Sequence, residues 1–103
     1  MKILTVCDFG NNRSVHLAHP LKYWGNDVIA VGLKKNSPET LEMLFQWADY
    51  IICTAEDQII PEQYKDKYRI MNVWPDTYER PFNVELRIIV KKYLDDNRSW
   101  LKN

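Results

Sequence analysis

Near the start of the chain, Cys7-Asp8-Phe9-Gly10-Asn11-Asn12-Arg13-Ser14 sets a cysteine, five residues, an arginine and a serine in one short segment. These residue types at this spacing suit a phosphate site. A cysteine leaving a strand faces a loop whose backbone N–H groups can point inward, and a helix after the loop adds its positive end. Arg13 can present a planar fork to two phosphate oxygens. Ser14 is placed to donate a hydrogen bond to the Cys7 sulfur. Gly10, with Asn11 and Asn12, suits the left-handed or strained backbone angles of a tight loop. The groups that hold a dianion also favour a thiolate. A thiolate beneath a bound phosphate group can attack phosphorus in line and form a cysteinyl-phosphate, which water then hydrolyses. Cys7 and Arg13 are thus candidate catalytic residues, and Asp8, Phe9, Gly10, Asn11, Asn12 and Ser14 are candidate substrate-binding residues.

Such an attack needs a proton donor for the departing oxygen. Asp76, in Trp74-Pro75-Asp76-Thr77-Tyr78, is the candidate. A Pro-Asp pair is equally an ordinary turn former. Tyr78, with Trp74 and Phe82, could wall a slot for an aromatic leaving group, so Tyr78 joins the substrate-binding set.

The elements that must position these residues are legible as alternating patterns. Lys2–Val6, Asp27–Leu33, Asp49–Thr54 and Tyr68–Trp74 are short, nearly continuous apolar runs, as expected of strands buried on both faces of a parallel sheet. Helices are predicted between them. The first spans Ser14–Trp24, where Pro20 should kink or split it. The second opens at Ser37-Pro38-Glu39, with Ser as N-cap, Pro at the first helical position and an acid in the first turn. Its Leu41, Leu44, Phe45 and Ala48 share one face. The third covers about Glu56–Lys65 and is broken by Pro61. The fourth runs from about Asn83 to Leu94, with Leu86, Ile89, Val90 and Tyr93 on one stripe. Residues 95–103 read as a polar, frayed tail on which Trp100 could pack back.

This β-α-β-α-β-α-β-α order predicts an α/β fold: a doubly wound, four-stranded parallel sheet with helices on both faces and the phosphate loop after the first strand. Such folds bind ligands at the carboxyl ends of their strands. The loop after Val6, the strand end at Cys53 and the segment after Trp74 should therefore converge.

The 103 residues fit one domain over positions 1–103, and 46% hydrophobic residues can supply its core. A formal net charge of zero gives no sign of a nucleic-acid-binding surface. The opening apolar run is too short for a signal peptide, and no stretch approaches a membrane span. Two cysteines and no secretory signal point to a functional thiol rather than a disulfide framework, and to the cytoplasm.

Several other residues have plain structural readings. Cys53 reads as a small core side chain at a strand end, or as a resolving thiol beside the site. His16 and His19 read as helix surface or packing, since no further clustered ligands suggest a metal. Tyr23, Trp24 and Trp47 read as core or sheet cover. Lys34-Lys35 and Lys91-Lys92 read as solvated charge. No cofactor or metal is called for.

The phosphate loop in its position, the four β-α units and the acid after the last strand resemble the low-molecular-weight protein tyrosine phosphatases, and more closely the short phosphatases of this type predicted in bacteria and phages. The likeness covers roughly residues 1–94, and Trp47-Ala48-Asp49-Tyr50-Ile51-Ile52 resembles the family's element entering its third strand. The resemblance implies that Cys7 is the nucleophile, Arg13 the phosphate-binding arginine, Ser14 the loop hydroxyl and Asp76 the acid. The chain departs from the family in four places. Gly10 stands where the family usually has asparagine. Asn12 stands where a second cysteine is common. Asp8 sets a negative charge beside the nucleophile. Asp76 follows a proline, where the family often has Asp-Pro.

The expected function is a cysteine-dependent phosphomonoesterase acting on a phosphorylated protein, phosphotyrosine above all, or on a small aryl phosphate. It would act as a monomer or weak dimer, with no nucleic-acid or membrane partner. Three alternatives remain. One is a weak or inactive phosphatase-like module that binds a phosphorylated ligand or a partner. Another is an arsenate reductase, which would need resolving cysteines. The last is a phosphocysteine phosphotransferase component.

Overall fold

β1 (Lys2–Cys7) has the composition of a strand with no solvent face: five of its six residues are buried. Both sides of such a strand must be covered, and the computed structural model, which describes residues 1–8, 13–54, 60–71 and 84–101, shows how. β1, β2 (Asp27–Gly32), β3 (Tyr50–Cys53) and β4 (Tyr68–Ile70) form one sheet in the order β2-β1-β3-β4. All three pairings are parallel, with Val6 beside Val31 on one flank and beside Cys53 on the other. The helices are α1 (Arg13–Tyr23), α2 (Pro38–Trp47), α3 (Val84–Asp96) and the four-residue α4 (Arg98–Leu101), with a 3-10 helix at Glu62–Lys67.

Strand alternation divides the core in two. Ile3, Val28 and Ile52 face one side, where they pack with Leu17, Ala18 and Leu21 of α1, Val90 and Leu94 of α3, and Leu101. Leu4, Val6, Val31, Ile51 and Cys53 face the other, against Phe45 of α2, its C-cap Ala48, and Tyr64 of the 3-10 helix. The doubly wound fold expected from the sequence is therefore present. Because α1 covers one face and α2 the other, the chain reverses its direction of winding between β1 and β3. The carboxyl ends of those two strands flank the resulting switch point, where folds of this kind bind ligands.

Local signals explain the element ends. The Ser37 hydroxyl accepts from the Thr40 backbone N–H at 3.2 Å, with Pro38 in the first turn of α2, as the N-cap reading required. Gly25 closes α1 with φ 93°, a left-handed value that suits glycine, and its N–H donates to the Lys22 carbonyl.

The structure corrects four expectations. Pro20 does not split the first helix, which runs unbroken from Arg13 to Tyr23. The proline sits in its last turns, so only one ladder bond is forgone, while buried Leu17, Ala18 and Leu21 hold the helix on the sheet. The described part of the third expected helix is a 3-10 helix, not an α-helix, with Pro61 at its head, where a missing N–H costs nothing; residues 55–59 lie outside the described residues. Tyr23 is not sheet cover: it is 88% exposed, whereas Trp24 and Trp47 are partly buried against the two cores.

The fourth correction concerns the tail. Residues 95–101 are helical save for the turn at Asn97, and Leu101 is wholly buried, its carbonyl accepting from Asn26 Nδ2 at 2.6 Å. Trp100 does pack back, with its ring 4.9 Å from that of Tyr50 and the Arg69 guanidinium over both. A polar sequence hid the two apolar residues that anchor the end of the core. The fourth strand ends at Ile70, although Met71 N–H still donates to the Cys53 carbonyl at 2.7 Å; positions 72–74 of the expected strand lie outside the described residues. Among the described residues no helix is long and apolar enough to cross a membrane.

Candidate functional site at the carboxyl end of the first strand

Cys7 is the last residue of β1, and the period of two fixes its direction. Ile3, Thr5 and Cys7 point to the α1 side of the sheet, while Leu4 and Val6 point to the α2 side. The first turn of α1 meets this row. Thr5 Oγ1 donates to the Ser14 carbonyl at 2.9 Å, and Cys7 Sγ and Ser14 Oγ share a hydrogen bond at 3.0 Å. All three side chains are buried. Thr5 thereby moors the start of the helix to the strand. Ser14 is held in the first turn of a helix that opens at Arg13, so its hydroxyl and the positive end of α1 both lie beside the sulfur. A hydroxyl donor and a helix N-terminus each stabilise negative charge on sulfur.

The neighbouring strand end is pinned to the same place. Thr54 follows β3, and both its N–H and its Oγ1 donate to the Val6 carbonyl, at 3.1 and 2.8 Å. The end of β4 is tied in turn through Met71 to Cys53. The start of the loop after Val6 and the strand end at Cys53 lie side by side as expected, while the segment after Trp74 lies outside the described residues. Thr5 and Thr54 were not singled out from the sequence. Thr5 lies two residues before Cys7, on the same face of the strand, and that spacing was the available signal.

Asp8, the acid beside the candidate nucleophile Cys7, is placed with a counter-charge. Its Oδ2 lies 3.9 Å from Lys34 Nζ, and its carbonyl accepts from the Lys34 backbone N–H at 2.8 Å. Lys34 is thus not merely solvated charge. Lys91, by contrast, only meets Asp95 across a helix turn at 3.7 Å.

Cys53 is adjacent along the chain's folding but on the other side of the sheet. It pairs with Val6 in the register and shares that residue's face, wholly buried in the α2-side core. Burial pushes its thiol up from 9.0 to about 12. The core reading holds and the resolving-thiol reading does not, since the sheet itself separates the two sulfurs.

Phe9, Gly10, Asn11, Asn12, Asp76 and Tyr78 lie outside the described residues, as does the Arg13 side chain; the backbone of Arg13 opens α1. His19 is exposed and His16 half-buried on α1, and among the described residues no three His, Cys, Asp or Glu side chains gather as a metal site.

No protein-family model matches the chain, and no curated protein matches it in sequence. Two solved structures share its fold. The YwlE arginine phosphatase from Geobacillus stearothermophilus is 17% identical, with a TM-score of 0.60 over 95% of this chain and 93% of that one. A YwlE mutant from Bacillus subtilis is 21% identical, with a TM-score of 0.59 over 99% of this chain and 94% of that one. At such identities the likeness is one of fold alone, a four-stranded parallel sheet with helices on both faces.

Proposed function

We propose that this chain is a cysteine-dependent phosphatase of the low-molecular-weight protein tyrosine phosphatase type, working in the cytoplasm as a single domain on phosphorylated protein or small aryl phosphates. The observation that carries the reading is the placement of Cys7 at the switch point, buried at the end of β1 and hydrogen-bonded to Ser14 in the first turn of α1. The fold shared with an arginine phosphatase supports it.

In the proposed reaction the backbone of residues 8–12 and the Arg13 fork bind the phosphate group, and the Cys7 thiolate attacks phosphorus. A P–S bond forms as the bond from phosphorus to the leaving atom breaks, and Asp76 gives that atom its proton. Asp76 then takes a proton from water as the water attacks phosphorus and the P–S bond breaks, restoring thiolate, acid and free phosphate. Ser14 serves throughout by stabilising the sulfur as nucleophile and as leaving group. Tyr78 would flank an aromatic substrate.

A second substrate reading, phosphoarginine, is favoured by the activity named for the Geobacillus stearothermophilus protein. The arsenate reductase alternative loses its only candidate resolving thiol, because Cys53 is the sole other cysteine and lies across the sheet. The test is hydrolysis of para-nitrophenyl phosphate and of phosphoarginine against pH, wild type beside Cys7→Ser. Turnover that disappears in Cys7→Ser supports the phosphatase, and the preferred compound assigns the leaving group. Phosphate binding without turnover of either compound would instead make the chain a phosphate-binding module.

A further inference from the structure

The turn after β2 reaches the same sheet edge as Cys7 and brings Lys34 to Asp8. Asp8 sets a carboxylate one residue from the nucleophile, and its side chain is only 20% exposed. A partly desolvated carboxylate there opposes both a thiolate and a phosphate dianion. Lys34 meets it, with Nζ 3.9 Å from Asp8 Oδ2. Main-chain bonds hold the two residues in this register: Leu33 N–H donates to the Cys7 carbonyl at 2.9 Å and Lys34 N–H to the Asp8 carbonyl at 2.8 Å. The lysine side chain itself is 63% exposed, so the pair adds little to stability. Its consequence is electrostatic and falls on whatever anion the loop binds.

We propose that Lys34 is a positioning residue of the phosphate site, offsetting the Asp8 carboxylate so that the loop keeps a field favourable to a phosphate dianion. The inference rests on the phosphate-site reading above. In this role Lys34 acts through Asp8.

The experiment titrates inorganic phosphate into wild type, Lys34→Ala, Lys34→Arg, Asp8→Asn and the Lys34→Ala/Asp8→Asn double variant, at low and at moderate salt. Lys34→Ala should weaken phosphate binding roughly three- to tenfold at low salt, with a smaller loss as salt screens the exposed charge. Lys34→Arg should stay within about twofold of wild type, because it keeps the charge. In the Asp8→Asn background, removing Lys34 should weaken phosphate binding less than it does in the wild type, because no carboxylate is left for Lys34 to hold and only the direct field of an exposed, screened lysine is lost. With para-nitrophenyl phosphate, Lys34→Ala should raise KM more than it lowers kcat, with the thermal midpoint held. Wild-type phosphate affinity in Lys34→Ala would overturn the proposal, as would a loss that persists undiminished beside Asp8→Asn. Failure of the wild type to bind phosphate would remove the phosphate site and this role together, whereas binding that is indifferent to Lys34 removes this role alone.

Discussion

The two cysteines of this chain end neighbouring strands yet occupy opposite chemical worlds. Cys7 and Cys53 are both buried, and neither is in a disulfide. Cys7 faces a hydroxyl and the first turn of a helix. Cys53 faces Leu4, Val6, Phe45 and other apolar side chains, and its thiol is pushed up to about 12. Burial is therefore not what distinguishes the two sulfurs. What separates them is which side of the sheet each sulfur leaves by, and whether a polar helix end or an apolar helix face waits there.

The largest test of this contrast is exchange of function between the two sulfurs. Cys7→Ser should remove all turnover of para-nitrophenyl phosphate with the fold intact by circular dichroism, while Cys53→Ala should keep wild-type kcat/KM. Activity surviving in Cys7→Ser would end the comparison. Next in size, Ser14→Ala removes the hydrogen bond to sulfur and should lower kcat roughly ten- to a hundredfold, the range for a bond to a charged group. An unchanged rate would mean that the 3.0 Å contact is structural only.

On the inert side, Cys53→Ser sets a hydroxyl in an apolar core and should cost about 1–3 kcal/mol in urea unfolding, with little loss of activity per folded molecule. The smallest effect appears in alkali. Cys53 stays protonated in the folded chain up to about 12, whereas the unfolded thiol ionises near 9.0. Below 9.0 both states hold the proton, and between these values the unfolded state loses it first, so stability falls as pH rises. At pH 10 the Cys53 share should be about 1 kcal/mol. Tyr93, also raised to about 12 by burial, adds a parallel slope starting near 10.0. The part of the slope that vanishes in Cys53→Ala measures Cys53 alone; an equal slope in both proteins would show that its thiol is not held protonated by the core.

Much of the fold was legible because its signals are local. The apolar runs marked four strands, and Ser37-Pro38-Glu39 marked the start of α2 to the residue. The misreadings came where packing overrode local preference. Pro20 weakens an isolated helix, but α1 is held by its buried face. Leu101 and Trp100 sit among polar neighbours, and only the unfilled end of the α1-side core explains their burial. At the site, the Cys7 and Ser14 partnership was readable from spacing, whereas Thr54 and Lys34 come from distant segments that carry no local sign of their partners.

By itself, the order of residues determined the alternation of strand and helix and the placing of a cysteine, arginine and serine around a strand-to-helix turn. Those follow from periodicity and turn chemistry within a few residues. Only the tertiary structure decided that Cys7 and Cys53 leave the sheet on opposite faces, that Asp8 is met by Lys34, and that the chain's last turns seal the core. Each of these depends on strand register and on which helix covers which face, and both are set by contacts between segments far apart in the sequence.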